Sequence, residues 1–249
     1  MPTVPLQGSV GAGGRNLPAD VVAVKTRLIA LGFVWLAPPT PTAGPQTTRT
    51  IKLFQAVKNG FDTVLLAKND GLIQVGQDTH RWLEAANAPR WQRLPLGSPE
   101  EGFFNREVAD SSDNHDFGTE WLAETIRLTG AAYRKAHLKG HPNAALLTIN
   151  DASIPEGGNT PDHAGHETGL TFDAFLPRRN GTAGGIAVGA PTYDRTAMRE
   201  MIKAFLKQPL ASHVFLNDNT LIGQGLCRPQ AGHHDHAHFE IFPPARVND

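Results

Sequence analysis

Apolar positions recur along this chain first at helical and later at mixed helical and strand spacing. From Asp20 to Leu31, Val21, Val24, Leu28 and Leu31 fall on one helical face, and Gly32 follows where a C-cap belongs, so a helix is predicted there. After the loop APPTPTAGPQ (residues 37–46), Thr47 or Thr48 opens a second helix that turns Ile51, Phe54 and Val57 to one side. A third, short helix is expected in DTHRWLEAAN (78–87), after the turn Asn69-Asp70-Gly71. The stretch PRWQRLPLGSPEEGF (89–103) is rich in Pro, Gly and charge and reads as part of a linker.

Beyond it, a long amphipathic helix is predicted from about Thr119 to Lys135, with Trp121, Thr125, Leu128 and Ala132 sharing a face. Ala144 to Ile149 reads as a buried strand, Arg195 to Lys207 as a helix with Met198, Ile202 and Phe205 inward, and His213 to Asn217 and His236 to Phe242 as strands. The expected fold class is α+β: a small N-terminal three-helix domain over residues 1–88, a linker over 89–110, and a second domain over 111–249 in which helices flank an antiparallel sheet.

Composition narrows the class. The 249 residues are 40% hydrophobic, enough for one large or two modest cores. Lysine and arginine number 23 against 24 acidic residues, so there is no electrostatic reason to expect nucleic acid or an anionic membrane as partner. No apolar run reaches membrane-spanning length. The opening MPTVPLQGSVGAGG has neither a basic nor an apolar region, so synthesis in the cytoplasm without a signal peptide is expected. Cys227, the single cysteine, rules out an intrachain disulfide and reads as a core thiol.

Histidine placement supplies the chemistry. Six of the eleven histidines lie in DHAGHETGLTFD (162–173) and GHHDHAHFEI (232–241). Imidazole nitrogens and carboxylate oxygens are zinc donors, and a catalytic site uses three protein ligands, leaving a fourth place for water. His166, Asp173 and His238 fit that requirement. His236 and His238 are two apart and share a strand face, so one binds metal while the other faces the reacting centre. His166 and Asp173 are seven apart, which a straight strand would send to opposite faces; Gly169 between them supplies the turn or bulge. Glu167 follows His166 as in the zincin motif, but position 170 is Leu, so Glu167 reads as a solvated or hydrogen-bonded side chain.

The segment LLTINDASIPEGGNTPDHAGHETGLTFDAFLP (146–177), with HVFLN (213–217), Leu226-Cys227 and His233-x-x-His236-x-His238, resembles the zinc-site region of the penicillin-insensitive murein endopeptidases, within the lysostaphin, D-Ala-D-Ala metallopeptidase and hedgehog superfamily. The resemblance covers roughly the last 140 residues. It implies Zn2+ held by His166, Asp173 and His238, with His236 and His233 catalytic, and His163 lining the metal site or adding a ligand. Asp235 is a candidate to orient one of the imidazoles. VGAGGRNLPADVVAVKTRLIALGF, TIKLFQ and DGLIQVGQDTHRWL resemble the three-helix peptidoglycan-binding domain found beside cell-wall hydrolases, through Leu31 to Phe33, Phe54-Gln55, Asp70-Gly71 and Gly76 to Thr79. Trp35, Trp82 and Trp91 are read as core packing before sugar stacking.

Both resemblances imply a zinc-dependent endopeptidase that cuts D-Ala to meso-diaminopimelate crosslinks of peptidoglycan. His236 or His233 would move the proton or stabilise the oxyanion, a division the sequence leaves open. A D-Ala-D-Ala carboxypeptidase is the alternative; its relatives carry a catalytic Glu shortly before the last ligand, where this chain has His236. A zinc-bearing binding module without activity is a third reading. The start GSVGAGGRNLPADV looks like that of wall-binding domains in type VI secretion effectors, which implies an antibacterial toxin carried by a secretion apparatus to a target cell's periplasm and countered by an immunity protein. Release as a phage-type endolysin through a holin is the other route considered.

Overall fold

The computed structural model describes residues 3–109, 114–160 and 165–247. The chain starts with β1 (Val10–Gly11) and α1 (Pro18–Ala30), which carries Pro at its first helical position, where no amide hydrogen is needed. Val21, Val24, Leu28 and Leu31 are all buried, as their spacing predicts. α2 (Pro45–Asn59) begins slightly before the expected threonines, at another Pro, and stops at Gly60 in the left-handed conformation. β2 (Leu72–Ile73) pairs antiparallel with β1, and α3 (Asp78–Glu84) follows.

The next elements fall where a linker was expected. β3 (Trp91–Arg93), β4 (Gly97–Ser98), β5 (Phe103–Asn105) and α4 (Arg106–Ala109) occupy residues 91–109, and Trp91, Leu94 and Phe103 are buried. Glycine serves close approach here, not flexibility. A Cβ on Gly102, at φ +82°, would lie 2.3 Å from the Gly130 carbonyl oxygen, so substitution would push two backbones apart. Trp91 stacks on Phe33 at 6.2 Å and donates its backbone N–H to the Leu31 carbonyl, tying the end of α1 to this segment. Trp82 of α3 meets Trp121 at 6.1 Å, while Trp35 is half-buried and donates its indole N–H to Thr50. One hydrophobic cluster therefore runs from Val4 to Ile241.

β6 (Phe117–Thr119) pairs with β3, and the Thr119 hydroxyl caps α5 (Glu120–Tyr133) by accepting from the Leu122 N–H. The buried stripe of α5 is Leu122, Ile126, Thr129 and Tyr133. Trp121 and Thr125 are also buried, but Leu128 is 41% exposed, so the expected face is corrected: α5 packs on two sides and its inward arc centres elsewhere. A single π-helical turn, Arg134–Leu138, ends it.

β7 (Leu147–Ile149), β8 (Thr171–Pro177), β9 (Ala183–Gly184), α6 (Arg195–Leu206), β10 (Ala211–Phe215), α7 (Asn219–Gly223) and β11 (His236–Ile241) complete the chain. The main sheet has the order β10-β11-β8-β7-β5-β4, with β9 on β8; β5 and β7 are parallel and the other neighbours antiparallel. The fold is α+β, with a mostly antiparallel sheet of mixed edge. Phe172 and Phe239, on neighbouring strands, stack at 4.7 Å, and Phe205 of α6 meets Phe239 edge-on at 5.0 Å. Burying each such ring contributes roughly 1.5–3 kcal/mol and commits this sheet face to the core. The opposite face is left for polar side chains. Among the described residues no helix is long and apolar enough to cross a membrane.

Candidate metal centre

Strand register builds the site. β11 runs antiparallel to β8 so that His238 lies directly opposite Asp173, His236 opposite Phe175 and Glu240 opposite Thr171. Side chains alternate along a strand, so His236, His238 and Glu240 share the face carrying Thr171 and Asp173, while Phe172, Ala174, Ala237 and Phe239 point into the core. His238 Nδ1 is 2.8 Å from Asp173 Oδ1.

His166 reaches the same carboxylate from the loop before β8, its Nε2 3.3 Å from Asp173 Oδ2. Its backbone is left-handed, φ +64°, a conformation that costs a non-glycine residue about 1–3 kcal/mol unless its surroundings hold it. Contacts that hold it include two among the described residues. The His166 N–H donates to Asp62 Oδ1 at 3.1 Å, and the His166 carbonyl accepts from the Ser153 hydroxyl. Gly169 makes the turn expected of it, at φ +66°: its N–H donates to Ser153 Oγ at 2.8 Å, and its carbonyl accepts from both the N–H and the hydroxyl of Thr119.

His166, Asp173 and His238 each offer a donor atom within 4.8 Å of the others, and this group can hold a metal ion. They are only 3%, 2% and 6% exposed, so water cannot compensate their polarity. The donor set suits such an ion in a second respect: each imidazole fixes its orientation through its other nitrogen. His166 Nδ1 lies 3.3 Å from Thr171 Oγ1, and His238 Nε2 lies 3.3 Å from Glu240 Oε1, whose other oxygen is 3.0 Å from His213 Nε2.

Electrostatics follow from this crowding. Burial alone would raise the Asp173 carboxyl, but the charges and hydrogen bonds of His166 and His238 hold it well below the usual carboxylate range. Burial works against protonated His238, yet its bonds to Asp173 and Glu240 prevail and push it up to about 10. Burial depresses His233 below the ordinary histidine value.

The cluster opens into a cleft of about 300 Å³ lined by Asp62, Phe215, Gln230, His233, His236 and Glu240 besides the three buried residues. His236 Nε2 is 3.5 Å from Asp173 Oδ2, and its Nδ1 is 2.8 Å from Asp235 Oδ1, so Asp235 does orient one imidazole. His233 lies 4.8 Å from His236 between ring centroids and donates Nδ1–H to the Ala231 carbonyl, an acceptor only. The site thus gathers every described histidine and carboxylate expected in it. His163 lies outside the described residues.

Two acidic residues of the cleft went unread in the sequence. Glu240 had a signal, being two positions beyond His238 on the same strand face. Asp62 had none, since it is 104 residues from the backbone it binds. Glu167 is a hydrogen-bonded side chain, accepting from the Val64 N–H at 2.6 Å. Cys227 is buried, which pushes its thiol up to about 11 and leaves it unreactive, with Sγ donating to the Leu216 carbonyl. No protein-family model matches this chain, and no curated protein sequence matches it.

Proposed function

We propose that the chain is a zinc-dependent peptidoglycan endopeptidase cutting D-Ala to meso-diaminopimelate crosslinks, with a wall-binding N-terminal region. The observation that carries this reading is the combination in one cleft of a buried two-histidine, one-carboxylate set with two further anchored imidazoles. His166, Asp173 and His238 would hold the ion. When bound, zinc acidifies its water and polarises a scissile carbonyl.

The chain's own residues then divide the remaining work. With Nδ1 backed by Asp235, His236 moves a proton at Nε2, taking it from water and returning it to the leaving amine. His233, its Nδ1 held by the Ala231 carbonyl, turns Nε2 to the carbonyl oxygen side or serves as a second proton acceptor. Phe215 and Gln230 line the cleft beside these histidines. A glutamate two or three residues before the last ligand would favour the carboxypeptidase; this chain has His236 in that place, which favours the endopeptidase.

Digestion of purified sacculi, followed by chromatography of the muropeptides, tests the assignment. Crosslinked dimers should become monomers. Release of disaccharides, free stem peptides or terminal D-Ala in their place would reassign the bond. In the same assay His236→Ala should keep its zinc and lose about 10²–10⁴-fold in turnover, the range for a general acid–base. Full activity in that variant would remove His236 from the mechanism.

A further inference from the structure

Asp62 comes from the N-terminal half, yet its carboxylate lies against the loop that carries His166. Oδ1 accepts the His166 N–H at 3.1 Å, and Oδ2 lies so near Gly165 that a Cβ there would be 2.5 Å away. Two residues on, the Val64 N–H donates to Glu167, and from α2 the Arg49 guanidinium donates to the Gly157 carbonyl at 2.8 Å. The same loop is therefore gripped at three points by residues 49–64. Asp62 is not itself in the donor group whose atoms lie within 4.8 Å of one another.

We propose that Asp62 is a positioning residue for the metal centre, holding the strained His166 peptide so that Nε2 meets Asp173. The N-terminal half thereby completes the site in addition to any wall binding. The physical argument is local. A left-handed histidine relaxes if its restraints go, and without Asp62 the buried His166 N–H loses a charge-assisted partner. A shift of the peptide moves the imidazole with it. Partners that orient a metal's ligands change affinity by about 10–100-fold when removed.

This inference rests on the metal reading of the site but not on the peptidase reading. Its test is zinc affinity of the full chain, measured by competition with a chromophoric chelator. Asp62→Ala should weaken zinc by about 10–100-fold, and Asp62→Asn, which keeps an acceptor at Oδ1, should recover most of that loss. Gly165→Ala is a second probe, because its methyl displaces the carboxylate without removing it; it should weaken zinc in the same direction. Wild-type affinity in Asp62→Ala overturns the inference, as does equal weakening in Asp62→Asn; if Asp62→Ala fails to fold, wild-type affinity in Gly165→Ala overturns it. A wild-type chain that binds no zinc overturns the metal reading and this inference together. A wild-type chain that binds zinc without cutting sacculi overturns the peptidase alone.

Discussion

Replacing His166, Asp173 or His238 by alanine is expected to take zinc from about one ion per chain to background, with loss of hydrolysis, because a catalytic site has only three protein ligands. The three are not equivalent. His166 and His238 each leave behind a carboxylate still bonded to the other imidazole, whereas Asp173 is the one partner both share. Its removal leaves two buried imidazoles meeting edge-on, their ring centroids 4.7 Å apart, with no anion between them. Breaking a buried charge pair by removing one partner costs about 3–5 kcal/mol, so Asp173→Ala should also be the least stable of the set before any metal is added. Metal analysis by mass spectrometry beside a thermal melt of the metal-free protein separates these effects. Full zinc in Asp173→Ala would show that the ligand set is wrong.

The part of this site that lies on strands was open to a reader of the sequence, and the part held by tertiary contact was not. The run HAHFEI alternates, so two of its histidines had to share a face and its Phe239 had to be inward. The same alternation carried Glu240 to the site, where it steadies His238 from behind. Gly169 was legible as the turn between His166 and Asp173, seven apart, and it is one. Asp62 could not be found this way, because nothing periodic links a loop after α2 to the peptide of His166; only the packed fold does.

Residues 91–109 mislead for a related reason. Gly and Pro mark flexible linkers and tight junctions alike, and composition does not distinguish them. In this chain Gly32, Gly97 and Gly102 sit where a Cβ would lie 2.0–2.5 Å from another residue's carbonyl oxygen. The stripe on α5 was misplaced because the apolar Leu128 sits on the helix's one exposed face with Glu124, Arg127 and Ala131, while the buried residues occupy the rest of its circumference.

Gly169→Ala should strongly destabilise the fold and disturb the metal centre with it. Its φ of +66° is one that a Cβ disfavours by roughly 1–2 kcal/mol. Space is the larger obstacle: the added methyl would lie 2.6 Å from Gly118 Cα, 2.7 Å from the Trp91 ring and 2.9 Å from the Thr119 nitrogen. Two of those neighbours are backbone of β6, which cannot swing aside as a side chain can. Overpacking of this kind adds about 1–3 kcal/mol, so the two effects together reach roughly 2–5 kcal/mol, a large share of the 5–15 kcal/mol that holds a typical domain. At about 2–4 °C per kcal/mol for a chain of this size, the melting midpoint should fall by roughly 4–20 °C. Gly76→Ala is the control, because Gly76 has a similar φ of +71° with nothing within 4 Å of its added methyl, so only the backbone contribution remains. If the two variants melt together, the loop carrying His166 is not pinned against β6 as described. If Gly169→Ala drops further than Gly76→Ala and also binds zinc more weakly, the turn both supports the fold and sets the spacing between His166 and Asp173.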